Sequence, residues 1–156
     1  MMTLKLIPDS DPILHRPAEP VNEENPDRVG TAELISQMFE VMKANNGIGL
    51  AAPQVGVPIR LFVMQTRNKR LVCINSELLN ESADENVMYE GCLSYPNVEI
   101  PVKRSIRIKV RYLDENFNRK SHYLNDLDAR VWLHEHQHTQ GITMIDVSAL
   151  LEVSDS

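Results

Sequence analysis

Apolar positions in the first third of the chain recur at helical spacing. Leu34, Ile35, Met38, Val41 and Met42 fall on one stripe, which predicts an amphipathic helix over residues 28–44. Asn45-Asn46-Gly47 follows as a stop, with Gly47 suited to a left-handed cap. Ahead of this helix, residues 8–27 carry Pro8, Pro12, Pro17, Pro20 and Pro26 among acidic residues and read as an irregular entry segment. Beyond it the pattern turns to strands. Residues 60–64 and 71–74 are short apolar runs separated by the polar turn Thr66-Arg67-Asn68-Lys69. Residues 87–89 and 98–102 read as strands around a loop containing Cys92. Ile106, Ile108, Val110 and Tyr112 alternate with polar residues, the mark of a half-buried strand. Asp114-Glu115-Asn116 forms a turn, and residues 119–124 a return strand.

A second helix is expected from Asn125 or Asp126, either of which can cap it, to near Gly141. Leu127, Val131, His134 and His138 share one face, so the face that enters the core carries two histidines. Strands bracketed by two helices predict an α+β fold, with antiparallel or mixed sheets packed around the second helix and the first helix near the N-terminus. At 156 residues the expected organisation is a single domain over 1–156.

Composition narrows the partners. The chain holds 16 basic against 22 acidic residues, a net charge of -6, which argues against a nucleic-acid backbone as ligand. The basic run from Lys103 to Arg111 alternates with apolar residues and reads as a strand with one solvated face. No apolar run approaches the ~20 residues of a membrane helix, and the N-terminus lacks a signal-peptide core. A cytoplasmic protein without a membrane partner is therefore expected. Its two cysteines, Cys73 and Cys92, are then two reduced thiols in different roles.

The second helix carries the strongest chemical signal. His134-Glu135-His136-Gln137-His138 contains H-E-x-x-H. Residues i and i+4 lie one above the other, so His134 and His138 can hold one metal ion. The helical pitch turns Glu135 by about 100° and sets its carboxylate beside the ion, where it can move protons. His136 points away, to solvent or to packing. Gln137 is either a surface amide or a partner of the site's ligands. A catalytic metal normally has three protein ligands. After the motif only Asp146, Glu152 and Asp155 remain, so the third ligand should come from upstream. Cys92, in Glu90-Gly91-Cys92-Leu93-Ser94, is the best chemical candidate, with a buried structural thiol as the alternative. Cys73, between Val72 and Ile74, reads as structural.

Gly47-Ile48-Gly49-Leu50-Ala51-Ala52-Pro53-Gln54 lacks the Lys and Ser/Thr of a phosphate loop. Its small residues suit close backbone approach to a ligand or to the core. Gln54 reads either as an amide donor to a developing oxyanion or as part of a tight packed turn.

Taken together, GIGLAAPQ at 47–54, EGCLS at 90–94 and HEHQH at 134–138 resemble the three signature stretches of the peptide deformylase family, G-x-G-L-A-A-x-Q, E-G-C-L-S and H-E-x-D-H, in the family's order. The similarity spans roughly residues 10–147, including Asp11-Pro12-Ile13-Leu14. The resemblance implies removal of the formyl group from N-formyl-methionyl nascent polypeptides. It implies one divalent ion on Cys92, His134 and His138, iron in the cell, with zinc, nickel and cobalt compatible with the same donors. It implies Glu135 as general base and then acid, and the Gln54 amide and Leu93 N–H as oxyanion donors. The substrate would add as a strand beside Gly47, Ile48, Gly49 and Leu50, near Gly91, with its methionine in a pocket lined by Ile48, Met88, Glu90, Leu127, Val131 and His134. Arg104 would pair with Glu90. Gln137 departs from the family's Asp, and Leu133 from a common Gln. The chain ends soon after Gly141, with the polar tail Glu152–Ser156 in place of the longer C-terminal helix through which bacterial members dock on the ribosome. That contact is in doubt, and the short form resembles phage-encoded members. Two other classes stay open on the residues alone: a metallopeptidase cleaving internal amides, and a non-catalytic metal- or peptide-binding module.

Overall fold

A computed structural model describes residues 4–149. Helix α1 covers Arg28–Ala44 and helix α2 covers Asp126–Thr139. Seven strands lie between them: β1 Gly49–Ala51, β2 Leu61–Gln65, β3 Arg70–Glu81, β4 Glu85–Cys92, β5 Tyr95–Ser105, β6 Arg107–Leu113 and β7 Arg119–Asn125. Five of them form one sheet in the order β1-β2-β3-β6-β7, while β4 and β5 form a separate two-stranded sheet. Every ladder in both sheets is antiparallel, so the fold is α+β with antiparallel sheets.

Strand β2 shows how the layers stack. Leu61 and Val63 join Ile35, Met38, Phe39 and Met42 of α1 in one apolar cluster. Phe62 and Met64 join Ala129, Trp132 and Leu133 of α2 in another. Alternate residues of a strand face opposite sides, so α1 and α2 cover opposite faces of the large sheet. That is why β2 is apolar without a break from Leu61 to Met64. Trp132 is fully buried, edge-on to Phe62 at 5.7 Å. The β4–β5 hairpin has its own small cluster of Ile100, Val102 and Met144. Among the described residues, no helix is long and apolar enough to cross a membrane.

Several expectations need correction. At the end of α1 the left-handed residue is Asn46, at φ 57°, and not Gly47. Asn46 N–H donates to Lys43 O and Gly47 N–H to Met42 O, a Schellman closure. A Cβ on Gly47 would instead strike Leu93 Cδ1 at 2.8 Å, so its smallness serves packing. Asn125 is the N-cap of α2, but neither it nor Asp126 makes a side-chain capping bond. Cys92 is the last residue of β4 and not part of a loop; the turn is Leu93-Ser94. The glycine-rich segment contains an additional strand, β1, whose small residues carry no apolar alternation but pair with β2. Strands β3, β4 and β5 run well beyond their apolar cores, because backbone pairing continues where side chains are solvated.

Candidate active site

Two elements bring the candidate groups together. Helix α2 buries His134, Glu135 and His138. The β4 end delivers Cys92. The ligand atoms of Cys92, His134 and His138 all lie within 4.8 Å of one another. Cys92 Sγ is 3.4 Å from His138 Nε2, close to the ~3.5 Å that separates a sulfur and a nitrogen sharing one tetrahedral ion. His134 Nδ1 is 2.9 Å from Glu90 Oε1, which fixes its proton there and turns Nε2 toward the cluster. His138 Nδ1 is buried with no partner among the described residues, so the ring is held by packing and by the Cys92 contact at Nε2.

Glu90 is buried, with Arg104 Nε at 2.6 Å and Arg130 Nη1 at 2.5 Å from its Oε2. Burial would raise its carboxyl, but the hydrogen bonds to His134 and Arg104 outweigh that and hold it down to about 2. The expected Arg104–Glu90 pair is therefore in place, and Arg104 also donates to Gln137 Oε1 at 2.8 Å. Gln137 is thus tied to the network rather than idle on the surface. His136 stacks on Trp132 at 4.7 Å and its Nδ1 lies 2.8 Å from Ser76 Oγ, so it is a packing residue. Cys73 is fully buried in the core.

Glu135 lies against β1. Its Oε1 is buried without a hydrogen-bond partner among the described residues. Burial pushes its carboxyl up to about 7, against the opposing pull of His134. A Cβ on Gly49 would sit 2.5 Å from Glu135 Oε2, so only glycine lets the carboxylate rest there. Gln54 is buried; its Oε1 accepts from Ala51 N–H at 2.8 Å, and its Nε2 donates to Ser94 Oγ at 3.0 Å and lies 3.5 Å from Cys92 Sγ. Its amide nitrogen therefore faces the cluster.

Cys92, His134 and Glu135 open into a cavity of about 770 Å³ between β1 and the β4–β5 hairpin, while Gln54 and His138 lie behind its wall. Gly47, Ile48, Gly49, Met88, Glu90, Gly91, Leu93, Leu127 and Val131 all line it. Ile48, Met88 and Leu127 are each about half exposed at its mouth, and Val131 is buried. Glu90 reaches the wall with both oxygens already bonded. Reading the sequence missed Arg130, Asn86 and Ser94. For Arg130 a signal existed: it stands four residues before His134 and three after Leu127, on the stripe that enters the core.

Residues 3–153 match the family model described as polypeptide deformylase. The chain belongs to the peptide deformylase family. It is a hydrolase. It is 42% identical over 88% of its length to a peptide deformylase of Pseudothermotoga lettingae, covering 78% of that protein. The crystal structure of the Thermotoga maritima peptide deformylase superposes with a TM-score of 0.90 at 35% identity, covering 96% of this chain and 99% of that one. A probable peptide deformylase from Synechococcus phage S-SSM7 gives 0.85 at 35% identity, over 92% of this chain and 99% of the other. An Acinetobacter baumannii deformylase solved with Met-Ala-Ser bound gives 0.87 at 27% identity, over 94% and 98%. The family activity, removal of the formyl group from nascent peptides, thus falls on this chain.

Proposed function

We propose that the chain is one catalytic domain, residues 1–156, that cleaves N-formyl-methionyl polypeptides in the cytoplasm to formate and a free N-terminal amine, using one divalent ion. The convergence of Cys92, His134 and His138 beside the unpartnered Glu135 oxygen carries this reading. The donor set suits the ion: one thiolate and two imidazoles, one of them oriented by a carboxylate. Cys92, His134 and His138 would hold it, and it would act as a Lewis acid that makes water acidic at neutral pH. Ferrous iron is the expected native ion, with zinc, nickel or cobalt able to take the same donors.

The protein's own groups do the rest. Strand β1 is an edge of its sheet, and an extended peptide can add beside it, using main-chain hydrogen bonds that tolerate many sequences. The methionine side chain enters the cavity past Ile48, Met88, Leu127 and Val131. Glu135 takes a proton from the attacking water and returns it to the departing nitrogen. The Gln54 amide and the Leu93 N–H stabilise charge on the formyl oxygen. Because Gln54 is already anchored through Ala51 and Ser94, it needs little reorganisation to do so.

The test is formate release from formyl-Met-Ala-Ser under anaerobic conditions, with metal content measured on the same sample. Release that stops on chelation and returns with ferrous iron or nickel is the expected result. A folded, fully metallated sample that releases no formate would overturn the reading, and peptide cleavage without formate would favour a metallopeptidase.

A further inference from the structure

The metal-ligating groups come from two bodies that share no backbone ladder. Cys92 belongs to the two-stranded sheet, and the histidines to α2, which packs on the five-stranded one. The site exists only if the hairpin is held at a fixed distance from α2. Two buried arginines contact Glu90 from different sides of that gap. Arg104 stands on β5, so its paired bonds to Glu90 on β4 lie within the hairpin, and only its 2.8 Å bond to Gln137 crosses to α2. Arg130 stands on α2, and its side-chain hydrogen bonds cross to the hairpin. Its Nη1 donates to Glu90 Oε2 at 2.5 Å and Val102 O at 3.0 Å, and its Nη2 to Asn86 O at 3.0 Å and Asn86 Oδ1 at 2.9 Å. One planar group therefore spans both strands of the hairpin, and it lines the cavity wall one helical turn from His134.

Resting on the metal reading above, we infer that Arg130 is a positioning residue: it clasps the β4–β5 hairpin to α2 and so sets where Cys92 and Glu90 stand relative to His134 and His138. It acts through Glu90, which holds His134 Nδ1, and through β4, which ends in Cys92. Its fixed guanidinium geometry is what the four acceptors require. A lysine would keep the charge but could not fork to Asn86 and reach Glu90 and Val102 together.

The test uses the full-length protein loaded with Co²⁺. Arg130→Met keeps length and leaves Glu90 paired with Arg104, so no buried charge is orphaned. Arg130→Lys is the conservative variant, and Asn86→Ala trims the far end of the clasp at an exposed position. The readouts are Co²⁺ affinity by chelator competition, and the thiolate-to-cobalt charge-transfer band. The expected result is about a 10–100-fold loss of affinity in Arg130→Met, with a weakened or shifted band. Arg130→Lys should recover part of the loss, and Asn86→Ala should show a smaller loss in the same direction. A merely structural arginine would lower the melting temperature yet leave affinity and band unchanged in the folded protein; that outcome overturns the inference. If Arg130→Met does not fold, unchanged affinity and spectrum in both Arg130→Lys and Asn86→Ala overturn it equally. A wild-type protein that binds no Co²⁺, or binds it without a thiolate band, would overturn the metal reading itself.

Discussion

The two helices end alike and are built for opposite purposes. Each closes with the same pair of backbone bonds: Asn46 and Gly47 reach back to Lys43 and Met42, and Gly141 and Ile142 reach back to His138 and Gln137. Their buried faces differ. Helix α1 buries Ile35, Met38, Phe39 and Met42 and gains stability from apolar area. Helix α2 buries Ala129, Val131, Trp132 and Leu133, but also Arg130, His134, Glu135 and His138. Arg130, His134 and His138 find hairpin partners in Glu90, Asn86, Val102 and Cys92, while Glu135 Oε1 has none among the described residues. Helix α1 buries one polar side chain, Thr31, beside its apolar ones, and a change on its apolar face should cost stability alone. On the proposed function, a change on the buried face of α2 would touch stability and chemistry together.

The sharpest break in that comparison is Glu135→Gln. Formate release should fall by about 10²–10⁴-fold while metal content and fold are retained, because Glu135 is not among the clustered ligand groups. Its counterpart on α1 is Phe39→Ala. That ring is buried, and its loss should cost about 3–5 kcal/mol in urea unfolding, with kcat/KM unchanged for the folded fraction. Equal loss of activity in the folded fraction would show that α1 also shapes the site. Gly49→Ala lies between the two. The new methyl would displace the Glu135 carboxylate, so kcat should fall about 10²-fold, with little change in unfolding midpoint. The smallest contrast concerns the helix ends. Gly141→Ala, at φ 78° and against the Arg16 backbone, should cost at least about 1–2 kcal/mol, while Asn46→Gly, already left-handed, should change stability by only a few tenths of that order. Equal effects would show that the two closures are not distinguished by the Arg16 contact.

The sequence makes α1 legible to its last residues, since a stripe of five apolar side chains at helical spacing has no competing reading. The end of β3 is not legible. Asn75 to Glu81 are mostly polar or exposed and include register shifts, yet their backbone pairs with β6. Strand β1 is hidden for a related reason: Gly49, Leu50 and Ala51 give no alternation, and their pairing with Phe62–Met64 is a long-range fact. In the site, H-E-x-x-H exposes the helical pair because its spacing is local. Cys92 is separated from His138 by 46 residues, so chemistry nominates it but only the fold brings it there. Arg130 is a milder case. A charge on a core stripe announces a buried partner, though not which one.

The Cys92 contact decides whether three groups or two can share an ion. X-ray absorption on the zinc-loaded protein tests it most directly, since zinc does not change oxidation state. One sulfur at about 2.3 Å with two imidazole nitrogens at about 2.0–2.1 Å is the expected shell. A shell of nitrogen and oxygen alone would remove Cys92 from the metal and contradict the reading of the site.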